Sequence, residues 1–162
     1  MKKDEAIFAA GCFWGVQYYF DQVPGVLETE AGYIGGHKDN PNYWDVAYKK
    51  TGHAEAVRII FDPKKISYGK LLMHFFRMHD PTQLNRQGPD VGNEYRSSIF
   101  YLNAKQKAEA KKMIDDYNKY ESRGKIVTSL EPATKFWPAE PEHQKFTQRT
   151  GIGMCHVGYA PV

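Results

Sequence analysis

Hydrophobic and polar positions along this chain follow two periods, and the switches between them mark out a small set of elements. Ala6-Ile7-Phe8-Ala9-Ala10 is a short unbroken apolar run that predicts a buried strand. Residues 13–23 carry helical spacing and stop before Pro24-Gly25, a turn signal. Val26 to Tyr33 alternates as a strand does, residues 35–43 have the composition of a loop, and residues 52–62 read as a further strand ended by Pro63. Ser67 is placed to cap a helix running from Tyr68 to about Met78. A second loop over residues 80–95 is followed by a strand from Ser97 to Leu102. The clearest helix runs from Ala104 to Glu121 and is closed by Arg123-Gly124. Ile126 to Leu130 is the last predicted strand. From Pro132 onward the pattern is irregular, and Gly151, Gly153 and Gly158 predict a mobile tail over about 148–162. This order predicts an α+β fold: a split βαβ, ferredoxin-like plait with a mixed or antiparallel sheet, helices on one face, an extra helix and strand, and a long irregular C-terminal tail.

Length and composition narrow the picture. A chain of 162 residues, 41% hydrophobic and 25% charged, fits a single domain with a full core. No repeat or linker divides it, so residues 1–162 are expected to form one catalytic domain. A net charge of +3 without a lysine or arginine stripe argues against a nucleic-acid partner. No apolar run approaches the ~20 residues of a membrane span. Met1-Lys2-Lys3-Asp4-Glu5 leads straight into the first strand, which predicts no leader and a cytoplasmic location. Nothing calls for an oligomer, so a monomer is expected. The two cysteines, Cys12 and Cys155, lie at opposite ends of the chain. In a reducing compartment such a pair is expected to be redox-active or catalytic rather than structural. His74, His79 and His156 lack ligand spacing, so no metal site is expected.

The chemistry concentrates in Gly11-Cys12-Phe13-Trp14-Gly15. Between a strand and a helix, Cys12 would meet the first N–H groups and the positive dipole end of that helix, which favour thiolate over thiol. Phe13 and Trp14 would wall an apolar pocket beside it. Glu55 sits inside an apolar strand between Ala54 and Ala56. Burial there would keep the carboxyl neutral and able to donate a proton. The loop segment Asp90 to Arg96 offers an acceptor, the Tyr95 phenol and a fixed cation, and Tyr43 ends the first long loop. The structureless loops are long enough to expect function in them.

Several motifs in fixed order make the chain resemble the A-type peptide methionine sulfoxide reductases. They are Gly-Cys-Phe-Trp-Gly (11–15), Gly-Tyr-Ile-Gly-Gly (32–36), Asn-Pro-Asn-Tyr (40–43), Gly-His-Ala-Glu-Ala-Val (52–57), His-Asp-Pro-Thr-Gln (79–83), Asn-Arg-Gln-Gly (85–88), Asp90, Tyr95-Arg96-Ser97, Ala139-Glu140 and His143-Gln144. The resemblance spans almost the whole length. It implies reduction of methionine S-sulfoxide, free or in proteins, to methionine, in repair after oxidation. It implies Cys12 as the nucleophile, Phe13 and Trp14 as a cage for the substrate methyl, and Glu55 as the acid that protonates the sulfoxide oxygen. Tyr43 and Tyr95 would hydrogen-bond that oxygen, with Asp90 in the same network. The resemblance further implies that a Cys12 sulfenic acid condenses with Cys155, the resolving cysteine, and that a thioredoxin-type dithiol resets the disulfide without any cofactor. Two positions depart from the family's pattern: Glu94 stands where Gln is usual, and Trp137 where Tyr is usual. There is no third, recycling cysteine.

Two other readings are open to the residues alone. One is a thiol hydrolase using Cys12 with His53 or His143 as base, which would not need Cys155. The other is a module that binds oxidised methionine without reducing it.

Overall fold

The computed structural model describes residues 2–120 and 125–153. In chain order the elements are β1 (Asp4–Ala10), α1 (Phe13–Asp21), β2 (Val26–Ile34), α2 (Tyr43–Tyr48), β3 (Ala54–Phe61), α3 (Tyr68–Met78), β4 (Arg86–Gln87), β5 (Asp90–Val91), β6 (Ser97–Tyr101), α4 (Ala104–Tyr120), β7 (Ser129–Pro132), β8 (Trp137–Pro138) and α5 (Phe146–Thr150). Single turns of 3-10 helix cover Asn93–Tyr95 and Pro141–His143. The fold is mixed α+β.

The main sheet has the order β7-β6-β1-β3-β2-β8. Pairings among β6, β1, β3, β2 and β8 are antiparallel, and β7 joins β6 in parallel, with Ser98 opposite Ser129. Alternation in β1 explains its central place. Ala6, Phe8 and Ala10 point to one face and Ile7 and Ala9 to the other, and all five are buried. The first face carries the larger core. Phe8 meets Phe20 of α1 and Tyr68 and Phe75 of α3, with ring centroids 5.8, 6.0 and 5.1 Å away. Burying such a ring contributes about 2–3 kcal/mol relative to exposure, so this cluster fixes both helices against the sheet. The second face is covered in part by Ala133 and Phe136.

Helix boundaries follow local chemistry. The Ser67 hydroxyl accepts from the Lys70 amide at 3.1 Å and caps α3 as the sequence predicts. The short α2 was not foreseen. It is held by a capping box in which Asn42 Oδ1 accepts from Asp45 N–H at 2.8 Å and the Asp45 carboxylate accepts from Asn42 N–H.

Other expectations require correction. The last long strand lies at Ser129–Pro132 rather than 126–130: Val127 N–H donates to Pro81 O and Ile126 N–H to the Asn118 side chain, which takes that stretch out of the ladder. The second loop contains the β4–β5 hairpin and a 3-10 turn. The chain after Pro132 is more ordered than its composition suggests, since β8 pairs Trp137 with Tyr33 and α5 includes residues 148–150 of the expected tail. Gly151, at φ 76°, ends α5 as a left-handed cap. Arg123-Gly124 and residues 154–162, with Cys155 and Gly158, lie outside the described residues. No described helix is long and apolar enough to cross a membrane.

Candidate active site

Seven residues singled out in the sequence line one cavity of about 210 Å³: Cys12, Phe13, Trp14, Tyr43, Glu55, Asp90 and Tyr95. They come from five separate stretches of chain. The eighth lining residue, Gly153, was not foreseen as part of any site.

Cys12 occupies the N-cap position of α1, immediately after Gly11 at φ 91°. That left-handed turn, which glycine adopts without a Cβ penalty, carries the chain from β1 into the helix. The Cys12 carbonyl accepts from Val16 N–H at 3.4 Å, and its side chain lies at the positive end of the helix, where a negative charge is stabilised.

Glu55 lies on β3 and is 1% exposed. Alternation places it on the same face as Val57, Ile59 and Phe61, which the helices cover. Arg58 points to the opposite face, where it pairs with Glu5 and Glu30. Glu55 Oε1 accepts the Phe13 backbone N–H at 3.1 Å, so acid and thiol share one helix terminus. Its negative form would raise the neighbouring phenols. Burial, then Glu55, pushes Tyr43 above the ordinary tyrosine value, while its hydrogen bond with Tyr95 works the other way. Burial, Glu55 and Tyr43 push Tyr95 far above it. Burial, the larger cause, acts whether Glu55 is ionised or neutral, so both hydroxyls keep their protons across the physiological range and serve as donors.

The walls are fixed from behind by the segment that follows β8. Glu140 accepts the Tyr33 hydroxyl on Oε1 and the Tyr43 backbone N–H on Oε2, both at 2.9 Å. The Gln144 amide bridges Ala31 and Ala139, and Lys145 N–H donates to Gln17 Oε1 at 2.9 Å. Trp14 packs against Phe146, with centroids 4.0 Å apart and planes at 18°. A Cβ on Gly153, whose φ is 77°, would come within 2.9 Å of Trp14 Cε3. This glycine is needed for the tail to lie on the indole.

Several sequence expectations resolve differently. Arg96 is not a cation for the cavity: its guanidinium bonds both carboxylate oxygens of Glu131, at 3.2 and 3.3 Å, and the Asn93 carbonyl at 3.1 Å, bracing the turn that carries Tyr95. Glu94 lines a neighbouring cleft with His37, Lys49 and Lys50 instead of the Cys12 cavity, and burial pushes its carboxyl up. Trp137 lies under the Lys135 ammonium, 4.2 Å from its ring centroid. His53 accepts from Gly36 N–H on Nδ1 at 3.0 Å, which leaves Nε2–H to donate to the Lys38 carbonyl at 2.7 Å. It is a structural histidine, and its engagement removes it as a hydrolase base. His143 Nδ1 accepts the Trp14 indole N–H. Among the described residues no group of three His, Cys, Asp or Glu side chains is arranged to hold a metal ion.

A thiol at a helix N-terminus, inside an apolar cavity with a buried carboxyl and two protonated phenols, defines a cysteine-dependent enzyme that acts on a small group with a protonatable oxygen. The sequence model for "Peptide methionine sulfoxide reductase" matches residues 4–162. A peptide methionine sulfoxide reductase MsrA of Acidobacterium capsulatum is 49% identical over 154 residues, covering 94% of this chain and 99% of that protein. Among solved structures, Mxr1 of Saccharomyces cerevisiae in its reduced form superposes with a TM-score of 0.88 at 30% identity, over 98% of this chain and 92% of that one. Mxr1 in complex with Trx2 superposes with a TM-score of 0.64 at 23% identity, over 99% and 91%. The chain belongs to the peptide methionine sulfoxide reductase family, and reduction of methionine sulfoxide is its activity.

Proposed function

We propose that this chain reduces methionine S-sulfoxide, free or in proteins, through a sulfenic acid on Cys12 and a disulfide with Cys155. The observation that carries the reading is the shared cavity of about 210 Å³, which the thiol, the buried acid and the two phenols line together. The substrate sulfur faces Cys12 Sγ, its methyl lies against Phe13 and Trp14, and its oxygen faces Glu55, Tyr43 and Tyr95, with Asp90 in the same network. Hydrogen bonds to that oxygen make the sulfur electrophilic. Cys12 attacks the sulfur, Glu55 gives its proton to the oxygen, and the hydroxyl passes to Sγ as methionine leaves. The enzyme is then Cys12–SOH, and the sulfoxide has gained two electrons. The Cys155 thiol attacks that sulfenic sulfur and expels water, leaving a disulfide.

Gly153 supports this role for Cys155. It lies against Trp14 at the cavity wall, and two further residues extend the chain by at most about 7 Å. A thioredoxin-type dithiol then reduces the disulfide. The complex of the related Mxr1 with Trx2 supports that partner. No cofactor or metal has a step in this scheme. We read the whole chain as one cytoplasmic, monomeric catalytic unit. The core order β6-β1-β3-β2 supports the reading of a split βαβ plait, extended by β7 and β8.

The test is a single turnover of fully reduced protein with excess N-acetyl methionine sulfoxide, resolved by epimer, without added reductant. One methionine per chain from the S epimer, with both thiols consumed, is the expected result. Methionine formed with only Cys12 oxidised removes Cys155 as resolver. No methionine overturns the reading and returns the binding module or the hydrolase.

A further inference from the structure

We propose that His143 is a positioning residue: accepting through Nδ1, it holds the Trp14 ring against sliding and rotation in its own plane and so sets the width of the apolar end of the cavity. This rests on the reading of Trp14 as a wall for the substrate methyl.

The Trp14 indole has a single hydrogen-bond donor, Nε1–H, and His143 Nδ1 accepts it at 3.0 Å. The two ring planes are 24° apart. Phe146 stacks on the same indole at 4.0 Å. A stacked face alone lets a ring slide and rotate in its own plane, whereas an anchored N–H edge removes that freedom. His143 is in turn held between walls of different origin, with the Phe13 ring at 5.7 Å and the Tyr43 ring at 4.8 Å. One imidazole therefore contacts three residues lining the cavity, from α1 and α2, and stands on the 3-10 turn just after Glu140, which fixes the Tyr43 backbone. Because Nδ1 accepts, the ring proton must sit on Nε2.

The consequence is selectivity. One methylene more or less in an apolar pocket changes kcat/KM about 10–200-fold when the wall is rigid. A wall free to swing gives part of that back.

The experiment uses three variants of the full chain. H143F keeps an aromatic ring but no acceptor. H143N places a carboxamide oxygen where Nδ1 stands. W14F removes the indole and identifies its N–H resonance in the two-dimensional proton–nitrogen spectrum. If H143F does not fold, H143L replaces it. In H143F the Trp14 indole resonance is expected to move upfield, and the methyl-over-ethyl sulfoxide preference in kcat/KM to fall roughly five- to tenfold, the effect of losing one neutral hydrogen bond. H143N is expected to restore both readouts most of the way. An unmoved resonance, or a moved resonance with wild-type preference, overturns the inference provided W14F itself lowers the preference. If W14F leaves the preference unchanged, the methyl-wall reading fails, and this inference falls with it.

Discussion

Replacing Glu55 with glutamine separates its chemical role from its structural one. Glu55 Oε1 accepts the Phe13 N–H at 3.1 Å from a position 1% exposed to solvent. A glutamine oxygen can accept the same bond in the same volume, so E55Q keeps the first turn of α1 satisfied. E55A would leave that buried amide without its acceptor, at a cost of about 1–3 kcal/mol, and would add a void. The stability change in E55Q is expected to stay within about 1 kcal/mol, a melting shift of about 2–4 °C for a chain of this size. The acid proton is lost altogether. General acid catalysis by a positioned side chain contributes about 10²- to 10⁴-fold, equivalent to about 3–5 kcal/mol of barrier. The assay is rapid-quench single turnover at saturating N-acetyl methionine sulfoxide, following methionine released, alongside thermal melting and substrate affinity. Methionine release is expected to slow at least a hundredfold with affinity little changed. A folded E55Q that releases methionine within about threefold of wild type refutes the assignment of Glu55 as the proton donor.

Two further variants probe the frame around the site. Burial raises the Glu131 carboxyl, but bonds from Arg96, Ser98 and Ser129 outweigh it and hold the group below its ordinary value. The stability this pair supplies is therefore present above the ordinary glutamate range and lost as pH falls through the lowered folded value. E131Q is expected to be less stable than wild type by about 1–2 kcal/mol at pH 7, with the urea midpoints converging as pH falls below the ordinary glutamate range; a gap that stays constant would argue against the linkage. G153A places a Cβ 2.9 Å from Trp14 Cε3 at a φ of 77°, a left-handed strain of about 1–2 kcal/mol. Its larger loss should fall on thioredoxin-dependent steady-state turnover, read beside the single-turnover rate, and equal losses in both would refute the link between tail docking and recycling.

Much of this arrangement was legible because it depends on local rules. The run before Cys12, the glycine that turns the chain and the helix after it place the thiol without any tertiary information. Strand period and an acid among alanines singled out Glu55, although only the sheet order decided which face it takes. The misses share a cause: they depend on pairing between distant segments or on elements too short to have a period. Six residues of α2 show no helical repeat, although Asn42 and Asp45 carry the signal of a capping box. The stretch 126–130 reads as a strand in sequence, but its neighbours in space, Pro81 and Asn118, take its first two amides. Glu140 and His143 stood in recognisable motifs, yet nothing in sequence told that one would hold Tyr43 and the other Trp14.

That last miss bears on how the site works. The cavity's reacting residues come from β3, α2, the β5 hairpin, the 93–95 turn and the start of α1, and none of these segments alone fixes the distances between them. The stretch from Glu140 to Gly153 ties α1 and α2 to the sheet: Glu140 joins β2 to α2, Gln144 joins β2 to the segment after β8, Lys145 joins α1, and Phe146 and Gly153 lie on Trp14. On the proposed reading, the same stretch leads two residues later to the thiol that ends the reaction. A residue two positions from Gly153 lies at most about 7 Å from it, so on that reading the wall that holds the substrate and the route to the resolving thiol belong to one stretch of chain. On that reading departure of methionine vacates the space beside Cys12 that the resolving thiol needs, so resolution of the sulfenic acid waits on product release.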